Sequence, residues 1–93
     1  MDKKELSSQA NNLKPIIQIG KSGLSDSIKE EIKKHLKKRK LIKIKCLSYF
    51  LDSFEDGLTR KEKMKEIAQQ ISEQFGAELI QIRGFTFTIY YGH

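Results

Sequence analysis

The chain has 93 residues, a 38% hydrophobic fraction and a formal net charge of +6 at pH 7. This length allows one domain with a single core, residues 1–93, and is too short for most complete enzymes. No apolar run reaches the ~18–20 residues of a membrane helix, and no apolar block near the N-terminus resembles a secretion signal, so we expect a cytoplasmic protein. One cysteine and two histidines argue against a disulfide or a zinc site. We therefore expect neither a metal nor a cofactor.

The first quarter of the chain predicts a helix, a strand and the start of a second helix. Residues 3–12 have the apolar spacing of a short amphipathic helix, which Pro15 ends because a residue before proline avoids helical geometry. Residues 16–19 then predict a short strand. Ser25 is the expected N-cap of the second helix. Its predicted buried stripe repeats every four residues and consists of Leu24, Ile28, Ile32 and Leu36.

The middle of the chain predicts a strand, a loop and a third helix. Residues 41–49 begin with isoleucines that alternate with lysines, which favours a strand. Residues 52–57 are expected to form a loop. Thr59 and Glu62 have the spacing of a capping box, which predicts a helix start. Gly76 is its expected terminator.

The end of the chain predicts two more strands, over residues 79–82 and 86–91, joined by a turn at residues 83–84. The predicted order is therefore α-β-α-β-α-β-β. Helices covering a four-stranded mixed sheet would make a two-layer α/β domain.

The positive charge is concentrated in one part of the chain. Between Lys21 and Lys45, nine lysines and one arginine stand against three acidic residues, a net charge of +7 within 25 residues. Such concentration indicates a binding surface for a polyanion, although a solvated helix face is the plainer alternative. On the second helix the lysines form a ladder, namely Lys29, Lys33, Lys37 and Lys40, which Lys34 and Lys38 widen.

A Gly-Lys-Ser sequence at residues 20–22 raises the possibility of a nucleotide-binding P-loop. That motif needs a glycine five residues before the second one, where this chain has Pro15, and the intervening residues 16–19 are strand-like. The ATPase interpretation therefore fails. What remains is a Gly-x-x-Gly loop, Gly20-Lys21-Ser22-Gly23, which leads from a strand into a helix N-terminus. Such a loop suits an oxyanion and clamps nucleic-acid backbone in KH modules, although a turn without a ligand is the alternative.

The same residues resemble a known family, the CRM domain, whose name stands for chloroplast RNA splicing and ribosome maturation and whose stand-alone bacterial form is the YhbY-like protein. The resemblance covers about residues 6–91. Its motifs are Leu13-Lys14-Pro15, Ile19-Gly20-Lys21-Ser22-Gly23-Leu24-Ser25, Leu41-Ile42-Lys43-Ile44 and Gly84-Phe85-Thr86-Phe87-Thr88-Ile89-Tyr90. The chain departs from the family at Arg39-Lys40, where a His-Glu pair is common, and at Tyr90-Tyr91, where Tyr-Arg is common.

The resemblance implies a fold similar to the C-terminal domain of translation initiation factor three. It also implies RNA binding through the Gly-x-x-Gly loop and its basic surroundings, and, as in prokaryotic stand-alone members, an association with precursors of the large ribosomal subunit. A KH-like binder of single-stranded nucleic acid is the nearest alternative, but a KH loop joins two helices rather than a strand and a helix. A basic DNA-binding protein is a further alternative.

We therefore expect a monomeric RNA-binding protein that assists ribosome assembly, with no membrane and no small-molecule substrate as partners. We find no nucleophile–base pair and expect no enzymatic activity. The expected RNA-binding residues are Gly20, Lys21, Ser22, Gly23, Lys29, Lys33, Lys37 and Lys40, with weaker contacts from Lys14, Lys34 and Lys38. Contacts of this kind reach phosphates and offer little base recognition.

Overall fold

The computed structural model describes residues 3–21 and 23–92, and helices and strands are interleaved along them as expected. The helices are α1 (Lys3–Ala10), α2 (Asp26–Arg39), α3 (Ser48–Asp52) and α4 (Arg60–Gln74). The strands are β1 (Ile17–Ile19), β2 (Leu41–Cys46), β3 (Glu78–Arg83) and β4 (Thr86–Tyr90). The short helix α3 is an addition to the predicted order.

The expected helix caps are confirmed. The Ser25 hydroxyl accepts a hydrogen bond from the Ile28 amide at 3.3 Å and so satisfies a free donor at the start of α2. At the start of α4, the Thr59 hydroxyl accepts from the Glu62 amide at 3.2 Å, and the Glu62 carboxylate accepts from the Thr59 amide at 3.0 Å. Gly76, with φ of +62°, follows the last turn of α4.

The predicted strand over residues 41–49 is wrong at its end. β2 stops at Cys46, and the Leu47 amide donates to the Ile19 carbonyl at 2.9 Å as the chain leaves the sheet. Phe50 and Leu51 are both buried in the core from α3. Leu47, Phe50 and Leu51 have the i, i+3, i+4 spacing of one helical turn, which packs these side chains better than an alternating strand would.

The four strands form one mixed sheet in the order β1-β2-β4-β3. β1 and β2 are parallel, with Ile17 opposite Ile44, whereas β4 is antiparallel to both of its neighbours, β2 and β3. The predicted mixed sheet of four strands is confirmed. Because β1 and β2 are parallel and β4 is antiparallel to them, the end of β1, the end of β2 and the start of β4 lie at the same end of the strands.

The main core lies between one face of the sheet and the three helices α2, α3 and α4. The buried side chains of β1, β2 and β4 meet those of the three helices in a single apolar cluster. Leu6 and Ala10 of α1 are buried outside this cluster, where α1 contacts β2 and β3. Lys43 and Thr88 pair across the sheet and alternate with core residues, so they are buried on this second face. One helix therefore covers the face that a strict two-layer arrangement leaves open.

Candidate functional site

The Gly-x-x-Gly loop lies between the end of β1 and the start of α2. The Gly23 amide donates to the Gly20 carbonyl at 2.8 Å and closes a tight turn, and Gly23 has φ of +62°, which glycine adopts without strain. Lys21 is exposed at the tip. Ser22, which we expected in the site, lies outside the described residues. The loop thus presents a cation directly before a helix N-terminus, which favours anions.

The loop rests on α3, the helix that the sequence did not predict. A Cβ atom added to Gly20 would lie 3.0 Å from Leu47 Cδ1 and 3.2 Å from the Tyr49 hydroxyl oxygen, and one added to Gly23 would lie 3.4 Å from Phe50 Cε1. Tyr49 is 56% exposed, so an aromatic ring flanks the loop at the surface. Gly20 is therefore favoured by close packing and Gly23 by its positive φ, and Tyr49 joins the candidate site.

Three predicted lysines continue from the loop along one side of α2. Lys29, Lys33 and Lys37 are spaced four residues apart, so they lie one above another, and Lys37 is about 18 Å along the helix axis from Ser25. Lys33 and Lys37 are exposed and Lys29 is half-buried. Within residues 3–21 and 23–92, the ion pairs closer than 4 Å involve Arg60 and Lys63 and none of these three lysines. Their charges are thus free to meet a polyanion.

The other predicted residues are distributed around this row, which we call the α2 lysine row (Lys29, Lys33 and Lys37). Lys34 and Lys38 are exposed on the adjoining side of α2, about 100° farther round the helix. Lys40 follows the helix and places its ammonium group 5.4 Å from the centre of the Tyr91 ring. Lys14 lies elsewhere, beside Arg39 at the end of α2 away from the loop. The structure therefore brings the loop and α2 lysines together but separates Lys14 from the loop.

Two basic residues in the first turn of α4, Arg60 and Lys63, have a different environment. Arg60 forms a two-point ion pair with Asp52, and the Lys63 ammonium contacts Asp56 at 2.6 Å, Glu66 at 3.0 Å and the face of the Phe54 ring at 3.8 Å from its centre. The hydrogen bond from Arg60 holds the pKa of Asp52 below its usual value, and that from Lys63 does the same to the pKa of Asp56. These cations stabilise the α3–α4 connection.

The described residues contain no group of three or more His, Cys, Asp and Glu side chains that could hold a metal ion. Cys46 is buried, and burial raises the pKa of its thiol to about 12, so it remains protonated near neutral pH. Within the same residues, we find no helix with the length and apolar character that crossing a membrane requires.

A family model and known proteins match this chain over most of its length. The model of the CRS1 / YhbY (CRM) domain matches residues 1–91. A Bacillus subtilis protein named "Probable RNA-binding protein YqeI" is 30% identical over 88 residues, which cover 95% of this chain and 81% of that protein. A Methanocaldococcus jannaschii protein named "Probable RNA-binding protein MJ0652" is 31% identical over 88 residues, and this chain spans only 59% of its length.

A solved structure resembles the whole fold. The solution structure of the hypothetical protein SAV1595 from Staphylococcus aureus, described as "a putative RNA binding protein", superposes with a TM-score of 0.72 at 34% sequence identity. The match covers 98% of this chain and 84% of that protein. The fold and the family model therefore agree over nearly the full length of the chain.

Proposed function

This chain belongs to the CRS1 / YhbY (CRM) domain family, and we propose that it is an RNA-binding protein that holds an RNA backbone between its Gly-x-x-Gly loop and the α2 lysine row. The names of its relatives support RNA as the partner. Within the family, we further propose that the RNA is ribosomal and belongs to a precursor of the large subunit, that the protein acts as a monomer in the cytoplasm, and that its contribution is binding rather than catalysis.

One observation carries this proposal, namely that the lysines following the loop lie in one row and have no carboxylate closer than 4 Å within residues 3–21 and 23–92. A buried lysine that is held by two carboxylates, as Lys63 is, must give up those contacts before it can meet a phosphate. Among the described residues, the lysines of the α2 lysine row have no carboxylate contact to break. Its lysines also begin at the helix end whose partial positive charge attracts phosphate. Loop, helix dipole and side-chain charges thus favour the same anionic ligand along one surface.

The position of the loop also supports this family over a KH module. Gly20 follows strand β1, whose amide and carbonyl groups pair with β2, and the loop leads into α2. A KH loop joins two helices instead. The loop therefore lies at a sheet edge with the exposed Tyr49 ring beside it, where a base next to the bound phosphates has an aromatic surface to stack on.

A direct test is to follow the protein in a sucrose gradient of a cell lysate, with and without RNase treatment. We expect it to migrate with large-subunit precursors and to move to the top of the gradient after RNase. Binding to a structured RNA hairpin should also be tighter than to duplex DNA of equal length. Equal affinity for the two nucleic acids would favour a general basic DNA-binding protein, and migration at the top without RNase would contradict a ribosomal target.

A further inference from the structure

A groove of about 300 Å³ lies at the end of α2 that is farther from the Gly-x-x-Gly loop. It runs between α2, the end of α4 and the segment that follows β4. Its lining combines two lysines with apolar and aromatic surface and, among the residues that the structure describes, contains no carboxylate. The residues are Lys33, Leu36, Lys37, Gln74, Phe75 and Tyr91.

The position of Tyr91 in this groove is fixed by its neighbours. The Tyr91 amide donates to the Lys40 carbonyl at 2.7 Å, and the Lys40 ammonium lies 5.4 Å from the centre of the Tyr91 ring. Tyr91 is half-buried and packs against the main core, as Phe75 does. An aromatic ring that is held in place loses little conformational freedom when a second flat group stacks on it.

The electrostatics of the groove differ from those of the loop. The groove lies where α2 and α4 end, and the C-terminal end of a helix carries a partial negative charge. This charge disfavours a phosphate inside the groove. A neutral, flat group is compatible with it, and the two lining lysines, Lys33 and Lys37, supply positive charge beside such a group.

We propose that this groove receives the base of one unpaired nucleotide from the same RNA that the loop binds, an inference that rests on the proposed function. Lys33 and Lys37 belong both to the α2 lysine row and to the groove, so a backbone that follows the row arrives at the opening. The volume is at the lower limit of small-ligand sites, which is room for one base and not for a paired duplex. The preferred RNA is therefore a helix with a bulged or unpaired nucleotide, because only an unpaired base can turn outward and stack on an aromatic side chain.

The test compares two RNA hairpins that differ only in one bulged nucleotide. Base–aromatic stacking contributes enough that we expect wild-type protein to bind the bulged hairpin about fivefold or more tighter. Tyr91→Leu should abolish this preference and leave the affinity for the paired hairpin unchanged, whereas Tyr91→Phe, which keeps the ring, should retain it. A 2-aminopurine base at the bulge should lose fluorescence on binding wild-type protein and much less on binding Tyr91→Leu.

A second pair of variants tests the same groove if Tyr91→Leu fails to fold. Gln74 is exposed at the groove, and Gln70 is exposed on the same helix outside it. Gln74→Glu should reduce the preference for the bulge, and Gln70→Glu, with the same charge change, should not. If wild-type protein binds both hairpins with equal, salt-dependent affinity, the groove does not bind a base, while the proposed RNA-binding function still holds. Failure to bind either hairpin would overturn both, and equal losses on both hairpins in Tyr91→Leu would mean that the groove does not read the base.

Discussion

Helices α2 and α4 both carry several lysines, and the α2 lysine row differs most from Lys63 of α4. Lys61 and Lys65 of α4 are exposed and have no ion pair closer than 4 Å among the described residues. On α4, Lys63 is only 5% exposed and is held by two carboxylates and the Phe54 ring. On α2, the lysine row stays unpaired within the described residues, even though Glu30 and Glu31 lie on the same helix. Both helices start near the same edge of the sheet and pack on the same face.

The number of charges alone therefore does not locate a binding surface. A cation whose field is already neutralised by neighbours stabilises the fold, whereas a row of unpaired cations repels itself until a polyanion binds. Such a row therefore supports the proposal that α2 binds a polyanion.

The largest effect is expected from reversing the charge of the α2 lysine row. The triple variant Lys29→Glu, Lys33→Glu, Lys37→Glu should lose on the order of a hundredfold or more in affinity for a structured RNA hairpin, because three phosphate contacts become repulsive. The measurement is fluorescence anisotropy at 0.15 M salt. In cells, the same variant should leave the precursor fraction of the gradient.

The control is a triple charge reversal outside α2. Lys4, Lys61 and Lys65 are exposed and are preferable to a set containing Lys63, which the structure shows to be paired. Both triple variants lower the formal net charge from +6 to 0. The control set should weaken binding only slightly, because charges beyond a Debye length of about 8–10 Å are screened. Equal losses from the two sets would mean that a general positive field, and not α2, binds the RNA.

A smaller effect is expected from the loop. Gly23→Asp places a carboxylate where phosphate should sit and should reduce RNA affinity about tenfold. Gly76→Asp is a matched control, since Gly76 has the same φ of +62° and open space around it. Both variants should lose similar stability, because a side chain is strained at this φ. If the two lose RNA affinity equally, the loop serves only as a turn.

The smallest effect on RNA is expected at Lys63. Lys63→Met keeps the apolar stem but removes the charge, so the midpoint of thermal unfolding should fall by a few degrees while RNA affinity stays within about twofold. Loss of RNA binding by the folded variant would contradict the structural role of this lysine.

The same variant should change the acid dependence of stability. The hydrogen bond from Lys63 lowers the pKa of Asp56 from its ordinary 3.8, so Asp56 contributes stability above that value and loses it as pH falls through the lower folded pKa. Thermal unfolding measured from neutral to acidic pH should therefore depend less steeply on acid in Lys63→Met than in wild type. If the midpoint of thermal unfolding falls equally with acid in both proteins, the ion pair between Lys63 and Asp56 does not form in solution.

Most of the fold could be predicted because its signals are local. The caps at Ser25 and Thr59 and the alternation in β2 depend on neighbouring residues. Helix α3 was missed because one turn gives a weak periodic signal, and its Tyr-Phe pair also favours strands. The position of α1 on the second face depends on packing that composition does not reveal.

The candidate site stays a prediction, and the sequence could indicate only those of its residues that are close together along the chain. The loop and the α2 lysine row are continuous in sequence, so their proximity follows from helix geometry. Tyr49 was assigned to a strand, and its place beside Gly20 depends on α3. The groove joins Lys33 to Tyr91 across much of the chain, and the pairing of Lys63 with Asp56 requires a folded loop. Contacts between distant segments need the tertiary structure.

The most direct measurement of the central contrast is the salt dependence of RNA affinity. Wild-type protein should show a slope of log affinity against log salt of about −3 to −6 on the counterion-release relation. Replacing the α2 lysine row by glutamine should make the slope shallower by about 2 to 3, since each lost phosphate contact removes about 0.7–0.9. Glutamine at Lys4, Lys61 and Lys65 should leave the slope unchanged. Parallel lines for all three proteins would contradict the assignment of the α2 lysines to phosphate contacts.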